Sequence, residues 1–216
     1  MLNIELGSSA QPLRRILCIG AHCDDLEIGC GGTVLRLLEK NQCEVHWIVF
    51  TSTADRKLEA EDAACLFLER AQAKRVIIRD YRDGFLPYSG AAVKEDFETL
   101  KREFMPDLIL THQRHDLHQD HRLICELTWN TFRNHLILEY EIPKYDGDFG
   151  APGFFVNLDE RLAQTKLDYL FRAFKSQHGK HWFTRELFSA VMRLRGMEAN
   201  SPSGFAEAFY ARKMAV

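Results

Sequence analysis

Arg14-Arg15-Ile16-Leu17-Cys18-Ile19-Gly20-Ala21-His22-Cys23-Asp24-Asp25 decides the fold class. A short apolar run ends directly on a polar turn, and a helix-like segment follows from Gly32 to Asn41. Strand, polar turn and helix in that order make one βα unit. The rhythm repeats outward from it: strand Glu44 to Thr51, helix Arg56 to Ala71, strand Arg75 to Asp80, helix Val93 to Phe104, strand Asp107 to Thr111. Val76-Ile77-Ile78 and Leu108-Ile109-Leu110 are apolar on both faces, as expected of parallel strands covered by helices on each side. The expected fold is α/β, an open, mostly parallel, doubly wound, Rossmann-like sheet. Beyond Thr111 come a loop, a helix from Asp120 to His135, strands Leu136 to Glu141 and Phe154 to Val156, and helices Asp159 to Lys175 and Arg185 to Arg195. Residues 142–153, IPKYDGDFGAPG, read as a surface loop able to shape a pocket.

The length, 216 residues with 46% hydrophobic content, suits one core, so residues 1–216 read as a single domain with an N-terminal extension at 1–12. Twenty-eight basic residues against 31 acidic ones leave a net charge of -3, which gives no bulk attraction to nucleic acid or an anionic membrane. No apolar run approaches the ~20 residues that span a bilayer. The start, MLNIELGSSAQP, lacks a basic end followed by an apolar stretch, and the reading is a cytoplasmic protein. The six cysteines are scattered without a C-x-x-C pair, and Cys18, Cys43, Cys65 and Cys125 read as core residues.

His22, Asp24 and Asp25 sit where the first strand ends, and His112, His115, His118, Asp120 and His121 follow the strand ending at Thr111. Ligands bind at the carboxyl edge of an open parallel sheet, and both clusters fall there. Taken alone, the first cluster is equally well a capping Asp and a backbone-bonded His. Two such clusters on one edge point to a catalytic metal, which takes three His or carboxylate ligands and keeps one position for water. His22, Asp25 and His121 can supply that set, with Asp24 as a base beside the metal and His118 as a second, non-ligating imidazole. His112 and His115 read as solvated loop residues. Gly29, Gly31 and Gly32 do not form G-x-G-x-x-G and read as close packing of the turn.

Ala21 to Thr33 resembles the A-H-P-D-D-x-E-x-G-C-G-G-T signature of the PIG-L/LmbE-like N-acetylglucosaminyl deacetylases, and His118-Gln119-Asp120-His121 resembles their H-P-D-H motif. Arg56-x-x-Glu59, Asp83-Gly84, Pro106-Asp107, Ser176-Gln177 and Glu207-Ala208-Phe209 keep the family's order. The resemblance implies a zinc-dependent hydrolase that removes the acetyl group of an N-acetylated amino sugar. The sugar would be free or part of a conjugate, nucleotide-linked and lipid-linked ones included. By the same resemblance His22, Asp25 and His121 are the Zn2+ ligands, Asp24 the general base, His118 the oxyanion donor, and Asp120 the residue that orients a histidine. Arg56 and Asp83 are candidate substrate contacts. Cys23 stands where the family has Pro, which raises the question of a thiolate beside the site. Late in the chain His178, His181 and Trp182 form a cluster that reads as a loop end more than as a sugar platform. A homo-oligomer is compatible with the sequence.

Two rivals use the same residues. A non-haem Fe(II) oxygenase also binds its metal with two His and one carboxylate, although its expected scaffold is all-β. A catalytically silent sugar-binding module would keep the fold and bind without metal.

Overall fold

The computed structural model describes residues 4–7 and 12–214, so most of the extension expected at 1–12 lies outside the described residues. The elements are β1 Arg15–Gly20, α1 Asp25–Lys40, β2 Glu44–Thr51, α2 Ala54–Phe67, β3 Ala73–Tyr81, α3 Gly90–Glu103, β4 Leu108–His112, α4 Gln119–Thr131, β5 Leu136–Tyr140, β6 Phe154–Leu158, α5 Glu160–Ala173, α6 Arg185–Glu198 and β7 Phe205–Ala211. They build one seven-stranded sheet in the order β3-β2-β1-β4-β5-β7-β6. The first five strands in that order are parallel, and β7 runs antiparallel to both β5 and β6. Among the described residues no helix is long and apolar enough to cross a membrane.

The period-2 alternation of the strands sorts the core onto two faces. Ile16 and Cys18 join Trp47, Val49, Leu110 and Tyr140 beneath α1, α2 and α5. Leu17 and Ile19 join Ile48, Phe50, Ile109 and Ile137 beneath α3 and α4. Covered on both sides, β1, β2 and β4 are almost wholly buried. β3 differs from the expectation of a central strand: it is the sheet's edge, and Val76 to Ile78 are only half-buried. From β1 the chain winds outward through β2 to β3, then returns to lay β4 on the other side of β1. The carboxyl ends of β1 and β4 therefore open side by side at the point where the winding reverses.

Three further departures have physical causes. α1 starts at Asp25, seven residues before the Gly32 start read from sequence, because its glycines are packing contacts within a helix. A Cβ at Gly29 would lie 2.2 Å from the Tyr140 ring, one at Gly31 2.5 Å from Phe67, and one at Gly32 2.5 Å from Leu158. β7 carries Ala206 and Ala208, residues of poor strand preference, and becomes a strand through pairing with β5 and β6. Cys65 is exposed on α2, whereas Cys18, Cys43 and Cys125 are buried as expected, and all six cysteines are free.

A buried ion pair ties β7 to α1. Glu207 accepts from the N–H groups of Gly32 (2.9 Å) and Thr33 (2.6 Å), while Lys166 Nζ donates to Glu207 (2.6 Å) and to the Ile28 carbonyl (2.6 Å). Both side chains are 3% exposed, so removing one strands the other charge in the interior. Glu207→Ala is expected to cost about 3–5 kcal/mol in urea unfolding, while the double change Lys166→Met with Glu207→Leu costs far less. Equal losses in the two would contradict the pairing.

Candidate metal centre

β1 ends at Gly20, and the turn 21–24 is fixed from both neighbouring strands. Thr51 at the end of β2 donates its N–H (2.8 Å) and its hydroxyl (2.9 Å) to the Ala21 carbonyl, and the Ala21 N–H donates to His112 Nε2 at the end of β4 (3.0 Å). The turn closes when Asp25 accepts from the His22 N–H at 2.6 Å. Cys23 Sγ donates to the Thr51 carbonyl, and burial pushes its pKa up to about 12, so it remains a thiol rather than a thiolate.

The turn brings three donor atoms together with the first turn of α4. His22 Nδ1 lies 3.0 Å from His121 Nε2 and 3.2 Å from Asp25 Oδ2, and His121 Nε2 lies 3.6 Å from Asp25 Oδ2. A tetrahedral ion with ligands at ~2.0–2.1 Å separates them by about 3.3 Å, so the triangle fits zinc. Two imidazole nitrogens and a carboxylate oxygen aimed at one point are mutually repulsive electron donors unless a cation or proton lies among them. Burial would discharge His22, but the carboxylates of Asp25, Asp120 and Asp83 outweigh it and hold its pKa well above the usual value. The same field draws a cation.

The outer partners fix the rings. His22 Nε2 faces Asp83 Oδ1 at 3.1 Å and Asp120 Oδ2 at 3.3 Å, and Asp120 is held by the N–H groups of Gly84 (2.8 Å) and Leu86 (3.1 Å). His121 Nδ1 donates to Asp116 Oδ2 at 2.9 Å, which turns Nε2 toward the triangle. His121 is nearly inaccessible, and burial with His112 beside it lowers its pKa to about 3, leaving a neutral ring with a lone pair to offer.

Asp24 sits at the N-cap of α1 without capping it. Its Oδ2 is 3.0 Å from Arg56 Nη2, and burial raises its pKa against the pull of that guanidinium. Arg56 also donates to Glu59 (3.0 Å) and Ser176 (3.3 Å). His118, the N-cap of α4, accepts the Asp120 N–H on Nδ1, and burial followed by the nearby His22 charge lowers its pKa. A neutral His118 then carries its proton on Nε2, so it can donate a hydrogen bond without a positive charge.

The residues singled out from sequence, His22, Asp24, Asp25, Arg56, Asp83, His118, Asp120 and His121, come together around or beside one cavity of about 590 Å³. Asp120 stands behind the wall and the other seven form part of it. Trp182 is in the wall too, and Tyr145 of the 142–153 loop meets His181 at 5.5 Å, so the late aromatic cluster borders the cavity. His115 is exposed, but His112 corrects the reading of a solvated loop: it is fully buried and stacks on His121 at 3.9 Å. β4 runs one residue past Thr111, and the Ala21 N–H gives His112 Nε2 a partner while its buried Nδ1 has none among the described residues. His112 Nε2 is 3.1 Å from Asp25 Oδ2, so Asp25, His112 and His121 form a second triangle. His112 is absent from the cavity wall, whereas His22 lines it. Asp116 and Lys144 went unnoticed in the sequence, although the D-x-H-x-D-H spacing could have flagged the first.

Residues 17–132, more than half the chain, match the family described as PIG-L, GlcNAc-PI de-N-acetylase. The diacetylchitobiose deacetylase of Thermococcus kodakarensis is 27% identical over 137 residues, 56% of this chain, and the match spans about half (50%) of that relative's length. N,N'-diacetylchitobiose deacetylase from Pyrococcus horikoshii superposes with a TM-score of 0.71 at 23% identity, covering 92% of this chain and 84% of its own. GalB, the 4-carboxy-2-hydroxymuconate hydratase from Pseudomonas putida KT2440, superposes with a TM-score of 0.74 at 16% identity, covering 94% and 98%. These two likenesses establish the fold, and the hydratase shows that the fold carries more than one chemistry.

Proposed function

Because the chain belongs to the GlcNAc-PI de-N-acetylase (PIG-L) family, we propose that it hydrolyses the N-acetyl group of an N-acetylated amino sugar or its conjugate, with zinc held by His22, Asp25 and His121. The observation that carries the reading is the triangle of 3.0–3.6 Å beside a buried carboxylate, Asp24, on the wall of one cavity. At about 590 Å³ the cavity falls within the ~300–1,000 Å³ typical of small-molecule sites. His22 is preferred to His112 as third ligand because it faces that space.

Bound there, a divalent cation would polarise the acyl carbonyl and make a neighbouring water more acidic. Asp24 takes the proton of the attacking water, and Arg56 holds its carboxylate in place. His118 donates from Nε2 to the oxygen that gains charge as the carbonyl becomes tetrahedral. Asp24 then returns the proton to the amine nitrogen as the C–N bond breaks, leaving acetate and the free amino sugar. Asp120 and Asp83 hold His22 by its outer nitrogen, a role the geometry favours for Asp83 over the substrate contact suggested by sequence.

The test is an acetate- and amine-release assay over a panel of N-acetylhexosamine conjugates. Release is expected to fall to background after chelation and to return with zinc. Release indifferent to chelation would end the metal reading. Oxygen uptake with Fe(II) would favour the oxygenase, and sugar binding by chelated protein without turnover in any metal would favour the silent module.

A further inference from the structure

We propose that Lys144, in the loop after β5, is a positioning residue for the cation site: its ammonium shares Asp116 Oδ2 with the His121 imidazole and so fixes where His121 Nε2 points. The inference rests on the zinc site proposed above.

Asp116 is fully buried, and its two oxygens have separate tasks. Oδ1 accepts the His118 N–H at 2.8 Å, which holds the start of α4. Oδ2 accepts from His121 Nδ1 at 2.9 Å and from Lys144 Nζ at 2.9 Å. Lys144, with a side chain only 11% exposed and its Nζ 2.9 Å from Oδ2, is the cation that compensates the buried carboxylate. Without it the charge would rest on hydrogen bonds alone, in an environment where an unpaired ion is costly. Outer partners of a ligating histidine typically change metal affinity 10–100-fold when lost.

Lys144 is itself anchored. Asp148 lies 2.6 Å from Nζ and also accepts the Leu117 N–H at 2.7 Å, so the ion pair closes the 142–148 segment onto the loop before α4. Ile142, Pro143, Lys144 and Tyr145 all line the cavity. One short segment therefore borders the space for the substrate and orients a ligand of the metal. The consequence is a link between a loop that walls the cavity and the strength of the cation site.

The test compares wild type, Lys144→Met, Lys144→Gln and Lys144→Arg. Zinc affinity is measured by competition with a chromophoric chelator, and ligand geometry by the visible absorption of the Co2+-loaded proteins. Lys144→Met and Lys144→Gln are expected to bind zinc ~10-fold or more weakly and to show a shifted Co2+ band, with Lys144→Arg restoring most of both. Circular dichroism of the chelated proteins confirms folding, and Lys144→Gln, which keeps a hydrogen-bond donor, serves if Lys144→Met does not fold. Wild-type affinity and an unshifted band in both neutral variants would overturn the role of Lys144. Failure of the wild type itself to bind zinc would overturn the site.

Discussion

Asp24→Asn is expected to lower kcat by ~10²–10⁴-fold while the protein keeps its zinc, the range lost when a positioned general base is removed. Asp24 stands beside the triangle rather than in it, and Asn keeps its size and its place next to Arg56, 3.0 Å away. What Asn cannot do is accept a proton and hand it on. The carboxylate is 7% exposed, and burial raises its pKa although Arg56 resists. The working form is ionised, so activity falls as pH drops through that pKa, which burial places above the ordinary value of an Asp. Asp24→Asn should lose that acid limb together with the turnover, as read in a pH profile of acetate release and in zinc content. Wild-type kcat in the variant would remove Asp24 as the base.

The candidate site was legible in the sequence because its polar residues sit on two short segments, each at the end of an apolar strand. The unbroken apolar runs of β1 and β4 located the sheet edge, and the edge pointed to His22, Asp25 and His121 as candidates. Information that lies in tertiary contact was less visible. Asp116 and Lys144 are 28 positions apart and meet only because the loop after β5 folds back over the loop before α4. His112 looked like part of a polar loop because its neighbours Arg114 and His115 are exposed, and only the strand's pleat and a backbone donor from β1 make it a core residue. β7 was missed for the same reason: its alanines favour a helix, and pairing with β5 and β6 decides otherwise. Glycine read as a turn signal in α1 because sequence does not show that Tyr140, Phe67 and Leu158 press against that helix.

His121→Ala is expected to abolish both zinc binding and turnover, and to do so more completely than His22→Ala. The reason is that His121 belongs to the first triangle, with His22 and Asp25, to the second, with Asp25 and His112, and also to a set with His22 and His118. Removing His22 leaves the second triangle, weakened because His112 Nε2 already accepts the Ala21 N–H. Removing His121 leaves none of the three. Among the described residues the other set without it is His22, Asp83 and Asp120, in which Asp120 is engaged by two backbone N–H groups and Asp83 is 77% exposed. The change also takes away the donor on Asp116 and the ring on which His112 stacks at 3.9 Å, so a loss of stability accompanies the loss of metal. Zinc content after gel filtration, acetate release with added zinc, and thermal unfolding of chelated wild type and variant separate these effects. Stoichiometric zinc in folded His121→Ala would mean that the cation is held elsewhere and that the triangle at the ends of β1 and β4 is not the catalytic centre.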